Sequence, residues 1–170
     1  MELYYTSFKT AAGWIAVLAS AEGLLKNTLP RETELEALSM LGIDGSGAVI
    51  SDDMFADLKK RFTDYFNGVK ISFPDKLDIS AATPFQKEVW IAARSVPYGE
   101  TVSYRFIAEK IDNPKATRAV GGALGKNPLP VIVPCHRVIG SNGDLTGFSS
   151  GLDVKKQLLE LEKAARRPQY

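Results

Sequence analysis

Cysteine and histidine each occur once in the 170 residues of this chain, and they are neighbours. Cys135 and His136 stand in the segment Pro134 to Arg137, between two short apolar runs. A thiol attacks as the thiolate, and a neighbouring imidazole can take its proton. A lone cysteine or histidine is more often a core residue than a catalytic one, so adjacency is the feature that favours nucleophilic chemistry.

The local backbone decides whether the two side chains can cooperate. Successive residues of a flat strand point to opposite faces, which would separate the thiol from the imidazole. Pro134 has no N–H for a sheet ladder. The sequence therefore predicts that the apolar run Val131–Val133 is a strand that ends at Pro134, and that Cys135 opens a turn or a helix.

Composition predicts an ordinary globular protein, with 45% hydrophobic and 24% charged residues. One cysteine excludes an intrachain disulfide, and one histidine leaves no plausible Cys/His zinc site. The apolar stretch from Trp14 to Ala19 is too short to span a membrane. We expect an intracellular protein with a reduced thiol, cytoplasmic in a prokaryote or nuclear in a eukaryote, with no metal and no membrane partner.

Charge is distributed unevenly along the chain. Residues 1–83 hold 8 Lys and Arg against 12 Asp and Glu, whereas residues 84–170 hold 13 against 8. A polyanionic partner would therefore bind the C-terminal half. The alternative is chance segregation in a protein whose net charge is +1.

The N-terminal half has the pattern of a small α/β domain. Hydrophobic runs and turn residues predict three strands, at residues 3–8, 14–19 and 23–29. Two helices are predicted at residues 32–41 and 52–66, the second with an apolar stripe at three- and four-residue spacing. Nothing here has the arrangement of a catalytic group, and Asp52 and Asp53 are expected to cap the second helix.

The proline-rich and polar stretch 73–84 is typical of a linker, so we predict two domains, residues 1–78 and 79–170. Thr83 is the expected N-cap of the first C-terminal helix, with Pro84 at its first position. Helices are predicted at residues 84–95, 104–111, 115–124 and about 152–165. The second and third of these, joined by a polar turn, form a helix-turn-helix pattern, which alone indicates DNA binding only weakly.

The segment from Asn127 to Ile139, with Pro-Cys-His-Arg at its centre, closely resembles the active-site segment of the O6-alkylguanine-DNA alkyltransferases, the methylated-DNA–protein-cysteine methyltransferase family. The segments Pro97–Tyr104 and Asn113–Gly122 precede it in the family's order. The resemblance extends from about Pro84 to Glu162. It implies an α/β, ribonuclease-H-like N-terminal domain with an antiparallel sheet, followed by a mainly α C-terminal domain with a winged-helix-like helix-turn-helix.

The resemblance implies DNA repair by direct reversal of damage. In the family, an alkyl group moves from O6 of guanine to the cysteine sulfur, once per molecule and without a cofactor, because the substrate carries its own leaving group. Cys135 would be the nucleophile and His136 its base, acting through a water and oriented by Glu162. Tyr104 matches the tyrosine that donates a proton to the leaving base. O4-alkylthymine is a further candidate substrate.

Other positions match the family's substrate pocket. Leu124 matches a wall of the pocket, and Asn127 matches the hinge asparagine between the helix-turn-helix and the active-site segment. The carbonyls of Cys135 and Val138 match those that read the exocyclic amine of the base.

The loop after the active-site segment carries further matches and two departures. The N–H of Ser149 matches the donor near O6. Phe148 stands where many relatives have Tyr, and Ser150 stands where relatives often have Gly or a bulkier residue. Both departures bear on the size of the alkyl group that the pocket accepts.

The resemblance also implies that a monomer binds double-stranded DNA through the minor groove and flips the alkylated guanine out of the stack. Arg118 matches the arginine that fills the vacated stack, and small neighbours let its helix enter the groove. The positions expected to contact DNA are Tyr104, Arg105, Asn113, Ala116, Thr117, Arg118, Ala119 and Ser141.

Two other functions are compatible with parts of the pattern. A cysteine hydrolase would form an acyl intermediate on Cys135 and turn over, but it gives Arg118 no role. A helix-turn-helix regulator would leave Cys135 as a buried bystander or a redox sensor. For Glu162, the alternative to a catalytic role is a surface salt bridge with Arg166.

Overall fold

The computed structural model of the protein describes residues 1–143 and 151–165. The chain divides into two compact units, Met1–Ala81 and Ala82–Tyr170. The sequence placed the boundary slightly earlier, after residue 78. Asp78 explains the later division, because its buried carboxylate accepts hydrogen bonds from Ser20 Oγ at 2.5 Å and from Ser80 Oγ at 2.6 Å. The chain is therefore tied to the first unit past residue 78.

The first unit is built on a four-stranded sheet with the order β3-β2-β1-β4. Its strands are β1 (Leu3–Thr10), β2 (Gly13–Ser20), β3 (Gly23–Asn27) and β4 (Val49–Ile50). The first three are antiparallel, but β4 pairs in parallel with β1, so the prediction of an antiparallel sheet is wrong and the sheet is mixed. β4 was missed because two exposed residues carry no alternating pattern.

Two helices complete the first unit, α1 (Glu34–Met40) and α2 (Ala56–Phe66). A short 3-10 helix, Asp53–Phe55, precedes α2. Asp52 makes no cap hydrogen bond, so its predicted capping role is wrong. Its carboxylate instead accepts from Thr6 Oγ1 on β1 and from Lys59 Nζ on α2, both at 2.7 Å.

The second unit is mainly helical. Its helices are α3 (Pro84–Arg94), α4 (Tyr104–Lys110), α5 (Thr117–Gly125) and α6 (Leu152–Ala165). β5 (Val102–Ser103) and β6 (Val138–Ile139) form a small parallel pair. A tight turn joins α4 to α5, with Asp112 in the left-handed region at φ 58. The indole of Trp90 on α3 donates to the Ala123 carbonyl at 2.8 Å, which fixes α3 against α5.

None of the helices within the described ranges is long and apolar enough to cross a membrane.

The start of α3 confirms the predicted cap. Thr83 Oγ1 accepts from the Gln86 N–H at 3.1 Å, and Gln86 Oε1 accepts from the Thr83 N–H at 3.0 Å. This reciprocal pair satisfies two N–H groups that the helix itself cannot bond.

Thr83→Ala should lower the free energy of unfolding by about 1 kcal/mol, because it leaves the Gln86 N–H without its side-chain acceptor. Thr83→Ser keeps the oxygen and should cost clearly less. Urea unfolding followed by circular dichroism measures both. Equal losses for the two variants would show that the Thr83 methyl group, and not the cap, is responsible.

Candidate active site

Cys135 begins a short 3-10 helix, Cys135–Arg137, directly after Pro134, as the sequence predicted. The strand predicted at Val131–Val133 is wrong. These residues form a buried turn in which the Val133 N–H donates to the Leu129 carbonyl at 2.8 Å. Val131 takes a left-handed conformation at φ 75, which is costly for a β-branched residue. An apolar run signals burial, and burial alone cannot distinguish a strand from a packed turn.

Asn127 holds the thiol in place. Its Nδ2 donates to Cys135 Sγ at 3.2 Å and to the Val133 carbonyl at 2.8 Å, while its Oδ1 accepts from the Leu129 N–H at 2.9 Å. The Cys135 side chain is buried, with a relative exposure of 6%. Burial raises the pKa of Cys135, and the Asn127 hydrogen bond only partly offsets this. In the free protein, Cys135 is therefore a neutral thiol, and it needs a base to become a thiolate.

His136 is fully buried, and its Nε2 makes a hydrogen bond to Glu162 Oε2 on α6. Burial lowers the pKa of His136, although Glu162 opposes this effect. Nδ1 is also buried, and it has no hydrogen-bond partner within residues 1–143 and 151–165. Since an ionised carboxylate only accepts, Nε2 carries the ring hydrogen and Nδ1 is the basic atom.

Glu162 is almost fully buried, at 1% exposure, so the sequence-based alternative of a surface residue is wrong. Arg166, its suggested surface partner, lies outside the described residues. The Glu162 Oε1 atom accepts from Arg137 Nε at 2.7 Å and from the Gly99 N–H at 3.0 Å. Burial alone would raise the pKa of Glu162, but His136 and Arg137 outweigh it and hold the pKa at about 2.

Arg137 and Lys155 were given no role from the sequence. Arg137 is buried; besides bonding Glu162, its Nη1 donates to the Val96 carbonyl at 2.8 Å, and its guanidinium carbon lies 5.5 Å from the centre of the Tyr98 ring. Arg137 is the last residue of the Pro-Cys-His-Arg motif. Its role could not be read from the motif, because its hydrogen-bond partners lie 25 and 41 residues away along the chain.

Lys155 is 1% exposed, which is rare for an ammonium group. Its Nζ donates to the Val138 carbonyl at 2.6 Å and to the Tyr104 hydroxyl at 3.3 Å. Burial lowers the pKa of Lys155 and raises the pKa of Tyr104. Its position on α6 was a usable signal, because Lys155, Leu158 and Glu162 recur at helical spacing on one buried face.

The structure brings the predicted Cys135, His136 and Glu162 into one cluster, with Asn127 on the thiol. Val138 and Tyr104 are brought together through Lys155. Leu124 is buried on α5. Phe148, Ser149 and Ser150 lie outside the described residues.

Most positions predicted to contact DNA lie on the surface. Tyr104 and Ala116 are half-buried, and the exposed positions are Arg105, Asn113, Thr117, Arg118, Ala119 and Ser141. Arg105 pairs with Glu109 at 3.0 Å. Arg118, in the first turn of α5, has neither a hydrogen bond nor an ion pair within the described part of the chain. Its guanidinium is thus available to an outside partner.

Comparisons with known proteins agree on one family. Residues 84–164 match the family model described as 6-O-methylguanine DNA methyltransferase, DNA binding domain. A methylated-DNA–protein-cysteine methyltransferase of Methanosarcina acetivorans is 43% identical, over 94% of this chain and 98% of its own. One of Haemophilus influenzae is 37% identical, over 95% and 87%. The crystal structure of Mycobacterium tuberculosis OGT in complex with DNA matches with a TM-score of 0.79 and 36% identity, over 95% and 94%.

Glu162→Gln should lower the free energy of unfolding at pH 7 by about 3 kcal/mol, because it leaves the buried Arg137 without its counter-charge. Because the folded pKa of Glu162, about 2, lies below its ordinary 4.5, this stabilisation is complete above 4.5 and is lost as the pH falls through the folded value.

The measurement is urea unfolding of wild type, Glu162→Gln and Glu160→Gln across this pH range. Glu160 is exposed on the same helix, so its variant should stay within about 0.5 kcal/mol of wild type. A Glu162→Gln loss that persists undiminished at the lowest pH would contradict the assignment of the stabilisation to the ionised carboxylate.

Proposed function

The chain belongs to the methylated-DNA–protein-cysteine methyltransferase family, and on that premise we propose that it repairs DNA by direct reversal, moving the alkyl group of O6-alkylguanine to Cys135. The observation that carries this proposal is the buried thiol itself. Asn127 holds it next to His136, whose Nε2 is hydrogen-bonded to the Glu162 carboxylate. Such a site supplies a nucleophile, a base and an orienting anion, and it needs no cofactor.

The proposed reaction begins with loss of the thiol proton to His136 Nδ1 through one bridging water. The sulfur then attacks the alkyl carbon, a carbon–sulfur bond forms, and the bond from that carbon to O6 breaks. Its electron pair remains on the guanine, which takes a proton from Tyr104. The product is a thioether, which has no easy leaving group, so the transfer is irreversible and occurs once per chain.

The contact between Lys155 and Tyr104 supports the proposed proton donor. A protonated lysine can only donate, so its bond to the Tyr104 oxygen leaves the tyrosine's own proton for another acceptor. The ammonium would also stabilise the phenolate that remains after transfer. Lys155 further donates to the Val138 carbonyl, one of the two carbonyls proposed to read the base.

For DNA recognition, we propose that α4 and α5 act as a helix-turn-helix in a winged-helix-like second unit. We also propose that the first unit has a ribonuclease-H-like fold. The exposed and unpaired Arg118 supports an entry of α5 into the minor groove, with Arg118 filling the stack when the alkylated guanine is flipped. Thr117 and Ala119 would allow the close approach, while Arg105, Asn113, Ala116 and Ser141 are proposed to line the contact.

We also propose that the protein is a monomer that acts in the cytoplasm of a prokaryote or the nucleus of a eukaryote. O4-alkylthymine is proposed as a second substrate.

A helix-turn-helix regulator is not favoured, because the similar curated proteins are methyltransferases. The site gives a second reason. A regulator has no use for a buried imidazole, carboxylate and guanidinium behind a cysteine, since ions removed from water are costly to maintain.

Cys135→Ser tests the proposed chemistry. The hydroxyl occupies the same place but is a far weaker nucleophile, so transfer of labelled methyl from a duplex with one O6-methylguanine should be lost. Binding of that duplex, measured by fluorescence anisotropy, should remain within a few-fold of wild type. Label recovered on the serine variant at the wild-type rate would exclude Cys135 as the acceptor.

Arg118→Ala tests the proposed flipping. The variant should repair duplex DNA at least about tenfold more slowly than wild type, since the vacated stack is no longer filled, whereas its reaction with free O6-benzylguanine should be nearly unchanged. Lys163→Ala removes an exposed charge on α6 and should change neither rate. Equal slowing of Arg118→Ala on both substrates would contradict a role in flipping.

A further inference from the structure

The Glu162 carboxylate bonds two buried basic side chains, His136 and Arg137. Glu162 Oε2 bonds His136 Nε2, and Glu162 Oε1 accepts from Arg137 Nε at 2.7 Å. Arg137 is only 7% exposed, so this ion pair is not a weak surface contact screened by solvent. The guanidinium is charged at any pH of interest, whereas the imidazole can be neutral or charged.

We propose that Arg137 is a positioning residue of the transfer reaction, which balances the charge of Glu162 and thereby keeps His136 neutral, so that Nδ1 can accept the thiol proton. The inference rests on the proposed function for the transfer itself. The balance of charge at the carboxylate is independent of it.

The charges around the Glu162 carboxylate explain the role of Arg137. With Arg137 present, the single negative charge of Glu162 is already compensated, and a proton on His136 would place a second buried cation on the same carboxylate. Without Arg137, protonating His136 is the simplest way to compensate the buried carboxylate. A protonated imidazole cannot act as a base, so the site would be inactive over part of the neutral range.

Other charged or titratable groups also face this cluster. Cys135 shares the 3-10 helix with His136 and Arg137, Lys155 reaches it from α6, Tyr98 lies against Arg137 from the turn before β5, and Tyr104 approaches from α4. The Lys155 charge acts on His136 in the same direction as that of Arg137, and Glu162 acts in the opposite direction. Arg137 bonds the carboxylate directly, with its Nε 2.7 Å from Glu162 Oε1.

A purely structural role is the competing account, because Arg137 also bonds the Val96 carbonyl and lies against Tyr98. The two accounts differ in what a change of pH does. A structural role predicts slower transfer or lower stability at every pH. The proposed role predicts that the imidazole of His136 takes a proton at higher pH.

His136 is the only histidine, so a chain without an added tag gives one imidazole signal in a nuclear magnetic resonance titration. We would titrate wild type, Arg137→Met, Arg137→Gln and Arg137→Lys without DNA. The two neutral variants should raise the titration midpoint of His136 by about one pH unit or more, and the lysine variant, which keeps the charge, should stay near wild type.

Arg61→Met is the matched control, because Arg61 forms an ion pair with Asp75 in the first unit and its loss should leave the His136 midpoint unchanged. Single-turnover transfer measured over the same pH range should follow the titration. Arg137→Met should be about tenfold slower than its own high-pH plateau at a pH one unit below its new midpoint, where wild type should keep at least about half of its plateau rate.

An unchanged His136 midpoint in a folded neutral variant would overturn the proposal, as would equal shifts in Arg137→Lys and Arg137→Met. Failure of both neutral variants to fold would also overturn it, since the role of Arg137 would then be structural. A wild-type protein that transfers no alkyl group would refute the proposed function but would leave the titration result standing.

Discussion

One buried carboxylate organises the second unit. An ionised group removed from water costs several kcal/mol unless it is fully paired and hydrogen-bonded. Glu162 meets this requirement with three donors from two segments: the Gly99 N–H of the turn before β5, and the side chains of His136 and Arg137 in the 3-10 helix Cys135–Arg137. Because an unmatched buried donor would be costly, these bonds fix α6, the turn before β5 and the 3-10 helix that begins at Cys135 relative to one another. The position of the thiol follows from that arrangement.

The same arrangement determines the chemistry. Burial raises the pKa of Cys135 and keeps it a neutral thiol, so it must lose its proton to a base before it can attack. Another buried charge, Lys155, is bonded to the groups proposed to read and protonate the base. Asn127 joins the thiol to the turn before it through three hydrogen bonds. An alkylated sulfur would crowd this closely packed turn, which links the chemistry to the stability of the fold.

Local signals and a family resemblance predicted much of this unit, but not the roles of the buried Arg137 and Lys155. Thr83 and Pro84 marked the start of α3 correctly, because capping depends on neighbouring residues alone. Arg137 was visible in the motif, yet its role comes from partners far along the chain, which no local pattern reports. Val131–Val133 was misread as a strand because its uniform burial has no period. In the first unit, β4 and the bonds of Asp52 likewise depend on tertiary pairing.

The most direct test of the central claim, that this buried cluster makes Cys135 the acceptor of an alkyl group, is mass spectrometry of the intact protein after incubation with an excess of duplex containing O6-methylguanine. The account predicts that each chain gains one methyl group, that peptide mapping places it on Cys135, and that repair of further lesions then stops. Repair of several lesions per chain, or a methyl group on any other residue, would contradict it.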